Sequence, residues 1–347
     1  MKRCLVVMIG LMGLISCSED GEFGSSVQDF FHVEIANAQL PVKVRGNTNS
    51  RKIILFIPGG PGGTGLDVSE IDPGNWKQTI EKQFAMAYYD QRGIGNAQGA
   101  YKPSSITIEQ YIEDMHGIIR VLHKRYPNSE VFLMGHSFGA MLVYRYMNVY
   151  GGEQLVKKYI AASGTGTRVV DDEHWTSRTS YVEAIASENV SNQVDVAYWQ
   201  EALDWLSQNP EMETIQQKAH LFQYMQATGI EENVKISFSD VFNILLFSDN
   251  NFFPYYLTLK KRQSLLDNLI RQERKWDIKA EISKLTFPLL LIGGEFDFSV
   301  PPQELMWIHE TAPASEKELV ILENAGHDHY ISQPNLFYQA VYNFISD

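Results

Sequence analysis

Cysteine is nearly absent from this chain: Cys4 and Cys17 are the only two in 347 residues. Downstream of position 17 there is therefore no disulfide, no thiolate metal ligand and no thiol nucleophile, and stability must come from packing. Positive charge is also scarce. With 29 basic against 42 acidic residues the net charge is -13, which argues against nucleic acid as a partner. No apolar run is long enough for a permanent membrane span, since the longest, residues 5–15, falls short of the bilayer core. Repeats and low-complexity segments are missing too. What is present is ordinary globular composition, 44% hydrophobic and 20% charged, in a chain long enough to bury a large core.

The first residues stand apart. Lys2-Arg3 followed by apolar residues 5–15 reads as the charged and hydrophobic regions of a secretory signal. Its end, Leu14-Ile15-Ser16-Cys17, resembles the bacterial lipobox. The resemblance implies a signal peptide over residues 1–16, with Cys17 as the lipidated N-terminus anchoring the protein to the cell envelope. An acidic run, Ser18-Glu19-Asp20-Gly21-Glu22, follows and resembles the export tether of surface lipoproteins in Bacteroidetes-type bacteria; residues 17–26 are read as anchor and tether.

Past residue 26 the pattern becomes that of a folded domain. Residues 29–35 and 40–45 alternate as an antiparallel pair. Continuous apolar runs at 52–57, 84–89 and 131–134 each end in a glycine-bearing loop, as expected for parallel strands buried on both faces. Between the second and third, Ile108, Ile112, Met115, Ile118, Ile119 and Leu122 recur at helical spacing up to Pro127, a strand-helix-strand crossover. After a strand at 157–162, residues 165–285 carry helical patterns and dense aromatics, and are read as an inserted helical cap. Strands at 288–292 and 318–322, a helix at 302–311 and a terminal helix from Pro334 complete the core, which spans 27–164 and 286–347.

Chemistry concentrates at Gly135-His136-Ser137-Phe138-Gly139, a G-x-S-x-G placed between the strand at 131–134 and a helical pattern through Ala140, Met141, Leu142, Tyr144 and Met147. A serine on so tight a turn needs small neighbours two residues either side, and becomes a nucleophile if a base and an acid follow. His327, in Glu323-Asn324-Ala325-Gly326-His327 after the last strand, is the preferred base, ahead of His329. His309 reads as a surface helical residue, and His136 as a packed side chain giving a structural hydrogen bond. Glu295 and Asp297 both follow the strand at 288–292; Asp297 is favoured because the G-x-x-D-x-x-x-P layout of Gly294 to Pro301 resembles the acid loop of α/β-hydrolases and puts the carboxylate one turn beyond the strand tip. The oxyanion donors are read as the N–H of Phe138 and, from Pro58-Gly59-Gly60-Pro61-Gly62, the N–H of Gly60. The latter loop lacks the spacing of a phosphate cradle.

Taken together, Gly59-Gly60-Pro61-Gly62-Gly63, Asp90-Gln91-Arg92-Gly93-Ile94-Gly95, the elbow and the two later loops resemble an α/β-hydrolase of the proline iminopeptidase type. The resemblance implies an α/β-hydrolase fold, a mostly parallel central sheet flanked by helices with an inserted helical cap. It also implies a Ser137, Asp297, His327 triad that needs no metal or organic cofactor, and a small peptide substrate releasing its N-terminal residue. That family has histidine where this chain has Pro58, and G-G-S-W-G where this chain has G-H-S-F-G, a form shared with many esterases, so a carboxylesterase acting on small esters is the alternative. A binding lipoprotein that kept the fold without the chemistry is a third reading. Substrate amine recognition would need cap carboxylates, and Glu183, Glu188, Glu201, Asp204, Glu231 and Glu232 are present without a motif that singles one out.

Overall fold

The computed structural model describes residues 28–100, 102–165, 172–229, 267–273, 275–276 and 278–347. The expected signal segment 1–16, Cys17, the expected tether 17–26 and much of the expected cap lie outside the described residues.

Among the described residues nine strands form one sheet: β1 (Asp29–Ile35), β2 (Ala38–Gly46), β3 (Lys52–Ile57), β4 (Ala85–Tyr89), β5 (Gln98–Gly99), β6 (Glu130–His136), β7 (Tyr159–Ala162), β8 (Leu289–Gly294) and β9 (Lys317–Leu322). Their order is β1-β2-β4-β3-β6-β7-β8-β9, with the short β5 paired to β2. The β1-β2 hairpin and the β2-β4 pair are antiparallel, while β4 through β9 along the sheet run parallel. This is an α/β-hydrolase fold, and its parallel register puts the carboxyl ends of β3, β6, β7, β8 and β9 on one edge, where ligands bind in such sheets.

The apolar runs behave as strands buried on both faces. Ile53, Leu55 and Ile57 pack with the helices Ile108–Arg125 and Phe138–Tyr150 on one side. Ile54 and Phe56 pack with Trp76, Phe337 and Phe344 on the other, the last two from the terminal helix Pro334–Ser346. Alternation along one strand thus serves two helix layers. The crossover helix starts where its sequence says it should: the Thr107 side chain accepts from the N–H of Gln110 at 3.1 Å, capping the first turn.

Small differences from the sequence pattern have local causes. The strand expected at 157–162 is Tyr159–Ala162, with the N–H of Lys157 already donating to the carbonyl of Val131 on β6 at 2.9 Å just before it. The strand expected at 131–134 continues to His136, which still pairs with Ala162.

Between β7 and β8 the described residues include the helices Asp172–Ser191, Val196–Gln208 and Ile215–Ala227. They share a core of Val182, Ala186, Trp199, Ala202, Leu221, Tyr224 and Met225, into which Phe298 of the segment after β8 is packed. Residues 230–266 of the expected insert lie outside the described residues.

Candidate active site

The elbow forms because a strand and a helix meet with no loop between them. β6 ends at His136 and the next helix begins at Phe138, so Ser137 alone makes the turn, at φ 53 and ψ -120. A non-glycine residue held at positive φ is strained, and the surroundings must enforce it. The N–H of Ser137 donates to the carbonyl of Ala162 at 2.8 Å, tying the turn to the tip of β7. A Cβ on Gly139 would run into the carbonyl of Ile57, and one on Gly135 into the backbone of Gly139, so both positions require glycine. Ser137 stays partly exposed while its neighbours on both sides are buried. Phe138 opens its helix, so its N–H has no intrahelical carbonyl and lies at the positive end of the helix dipole.

Facing the elbow is the loop after β3. A Cβ on Gly59 would stand 3.2 Å from that of Ser137. The carbonyl of Gly59 accepts from the N–H of Gly63 at 3.0 Å. Across a trans peptide the N–H points opposite to the carbonyl, so this bond also fixes the direction of the Gly60 N–H. Gly60 itself has φ 129, beyond ordinary side chains.

The Asp-Gln-Arg-Gly segment after β4 supports that loop. Gln91 donates from Nε2 to the carbonyl of Pro58 at 3.2 Å. Asp90, fully buried, accepts from the N–H of Leu66 at 3.1 Å and of Asn96 at 2.7 Å, and burial raises its carboxyl to about 7. Arg92 forks onto Asp114, 2.8 Å from Nε to Oδ2 and 2.5 Å from Nη2 to Oδ1, and also reaches the carbonyls of Ile35 and Ala36. It therefore binds the β1-β2 turn to the crossover helix.

The candidate acid and base meet after β8 and β9. The two loops are sewn together, with the N–H of Glu295 on the carbonyl of Leu322 at 2.9 Å and that of Phe296 on Ala325 at 2.8 Å. His327 Nδ1 then lies 3.0 and 2.9 Å from the two carboxylate oxygens of Asp297. A carboxylate there only accepts, so Nδ1 carries the proton and Nε2 is the unprotonated nitrogen, a tautomer compatible with a general base. Asp297 Oδ1 also accepts from the N–H of Ser299 at 2.9 Å and Val300 at 2.7 Å. Burial alone would raise its carboxyl, but the His327 imidazole and the hydrogen bonds from Val300 and Ser163 outweigh it and hold Asp297 below the usual carboxylate range.

The other candidates separate by environment. Glu295 is exposed and accepts from the N–H of Asn324 at 3.0 Å. His309 sits half-buried on the helix Pro302–Thr311. His329 is fully buried, and burial first, then the neighbouring His136, push it down to about 3, unfit for proton transfer near neutrality. His136 points to the base loop: its Nε2 lies 3.1 Å from the carbonyl oxygen of His327, which seats His327 next to the elbow.

One residue of this site has no motif. Ser163, fully buried at φ 49 beyond the tip of β7, donates from Oγ to the same His327 carbonyl at 3.2 Å. Only its place after an apolar strand, before Gly164, hinted at a tight turn. Of the cap carboxylates, Glu183, Glu188, Glu201 and Asp204 are all exposed, while Glu231 and Glu232 lie outside the described residues.

Comparison with known proteins supports the fold. The alpha/beta hydrolase fold family matches residues 52–334. The Bacillus subtilis protein named "Probable aminopeptidase YbaC" is 23% identical over 319 residues, covering 88% of this chain and 92% of its own. A proline iminopeptidase of Chitinophaga pinensis is 21% identical over 310 residues, covering 87% and 92%. Among solved structures, a meta-cleavage product hydrolase of Pseudomonas fluorescens superposes with a TM-score of 0.54 at 17% identity, over 91% of this chain and 97% of that one.

Proposed function

The chain belongs to the alpha/beta hydrolase fold family, and we propose that it is a serine hydrolase working through an acyl-enzyme, with Ser137, His327 and Asp297 as its triad. The observation that carries this reading is the His327 to Asp297 pair at 2.9 and 3.0 Å, held beside the residue that precedes a strained, partly exposed serine. Ser137 Oγ attacks the substrate carbonyl carbon as His327 Nε2 takes its proton. The resulting oxyanion is received by the N–H groups of Phe138 and Gly60. Collapse breaks the bond to the leaving amine or alcohol, which takes the proton from His327. Water then attacks the acyl-enzyme with His327 again as base, releasing the carboxylic acid and restoring Ser137.

The substrate class that fits best is a short peptide from which the N-terminal residue, proline foremost, is released. Support comes from the Gly-Gly-Pro-Gly and Asp-Gln-Arg-Gly segments and from the aminopeptidase names of relatives that span most of the chain. A panel of aminoacyl arylamides with free and blocked N-termini tests it: the wild type should release arylamine from the free prolyl substrate, and Ser137→Ala should lose this by at least about 1,000-fold. Absence of serine-dependent release from every aminoacyl substrate removes the peptidase assignment. The elbow letters His136 and Phe138 favour a second reading, a carboxylesterase, in which short acyl esters turn over and N-terminal blocking changes nothing.

The mature protein, on this reading, is held at the bacterial cell envelope by lipid on Cys17. Expression of the full chain with a labelled fatty acid checks this: label should enter the wild type and not Cys17→Ser.

A further inference from the structure

Two side chains from different strands converge on one main-chain atom of the base loop. His136, the last residue of β6, and Ser163, just beyond β7, place Nε2 and Oγ at 3.1 and 3.2 Å from the carbonyl oxygen of His327. A carbonyl only accepts, so His136 carries its proton on Nε2 and donates, and the single hydroxyl proton of Ser163 is shared between this carbonyl and the carboxylate of Asp297. Each donor is rigidly mounted. His136 is nearly buried, its ring 5.0 Å from that of His327 and edge-on to Tyr330 at 5.1 Å, with Asp328 Oδ1 3.5 Å from Nε2. Ser163 is fully buried and its N–H is bonded to the carbonyl of Ile292 at 2.8 Å, so it stands between the nucleophile strand and the acid strand.

We propose that His136 and Ser163 are positioning residues that clamp the main chain of His327 and so fix its imidazole between Asp297 and Ser137. The inference rests on the triad reading given above. The segment from Asn324 to Asp328 is also held by the N–H of Asn324 on Glu295 and by the N–H of Phe296 on Ala325, both upstream of His327, whereas the two clamp bonds act on the main chain of His327 itself. A displacement of a catalytic group by about 1 Å costs on the order of 100-fold in rate. Burial, and then the nearby His327, hold the His136 imidazole below the ordinary histidine range. It therefore donates as a neutral ring and adds no positive charge when His327 takes up a proton.

Fluorophosphonate labelling rates and the kinetics of p-nitrophenyl acetate hydrolysis read the clamp without knowledge of the natural substrate. His136→Phe keeps a ring and removes the donor; it should lower kcat and the labelling rate by about 30-fold with KM within about threefold. Ser163→Ala should give about a tenfold loss of the same form. His136→Gln returns an N–H close to the position of Nε2 and should recover to within about threefold of the wild type. Cooperative thermal unfolding of each variant establishes that it is folded, and if His136→Phe does not fold, His136→Gln and Ser163→Ala decide. Wild-type rates in both His136→Phe and Ser163→Ala, with His327→Ala inactive, overturn the clamp and leave the triad standing. Equal loss in the Phe and Gln variants also overturns it. Wild-type labelling of His327→Ala instead removes the triad reading itself.

Discussion

Gln91 donates from its side-chain nitrogen to the carbonyl oxygen of Pro58, so the segment after β4 braces the loop that carries the Gly60 N–H. Both residues lie beyond the tips of neighbouring parallel strands, and Gln91 is almost wholly buried. Replacing it with Met keeps the volume and removes the donor. The expected outcome is a loss of about tenfold in kcat with little change in KM, since a misdirected oxyanion donor matters most in the transition state. Steady-state kinetics on any turned-over arylamide or ester checks this.

Arg92 and Asp114 form a buried fork at 2.8 and 2.5 Å, with Arg92 only 1% exposed. Removing one partner leaves the other charge buried, which costs about 3–5 kcal/mol. Arg92→Leu should therefore destabilise by that order in urea titrations. Arg92→Lys should recover only part of it, because an ammonium cannot reach both carboxylate oxygens and two carbonyls in one plane.

Asp297→Asn tests the acid without changing its shape. The amide presents a donor to either His327 Nδ1 or the N–H groups of Ser299 and Val300, all of which need an acceptor. The histidine is driven to the wrong tautomer, and kcat should fall by about 10,000-fold. Fluorophosphonate labelling should slow in parallel while the fold, followed by circular dichroism, persists.

His329 predicts a pH dependence of stability. Its folded-state value, pushed down to about 3 by burial, lies below the unfolded value of 6.5. The unfolded chain therefore binds a proton first as the pH drops. Stability on this account is complete above about pH 6.5, declines as pH falls, and levels off near 3. His329→Phe, packed against Phe337 whose ring is 5.4 Å away, has no such proton to bind. Its melting temperature should fall less steeply than that of the wild type between these limits, in melts recorded at matched ionic strength.

Much of the site was visible in the letters because its causes are local. The tight turn at Ser137 requires glycine at 135 and 139 whatever the rest of the chain does, and the unbroken apolar runs of β3, β4 and β6 can only be strands covered on both faces. Position after a strand narrowed the acid to two carboxylates and the base to two histidines. Layout favoured Asp297 over Glu295 without showing what either carboxylate meets. The structure shows it: Asp297 faces His327 and Glu295 faces solvent. Ser163 was invisible because a serine after a strand carries no signature of what it meets.

By itself, the sequence determined the strand and helix periodicities, the sterically demanded elbow and the chain order of serine, acid and histidine, all of which depend on neighbours a few residues apart. The tertiary structure alone decided which side chains meet across the sheet edge: His136 and Ser163 on the carbonyl of His327, separated from it by 191 and 164 positions, and Gln91 on Pro58. Those meetings follow from strand order and register, which place loops side by side irrespective of their distance along the chain.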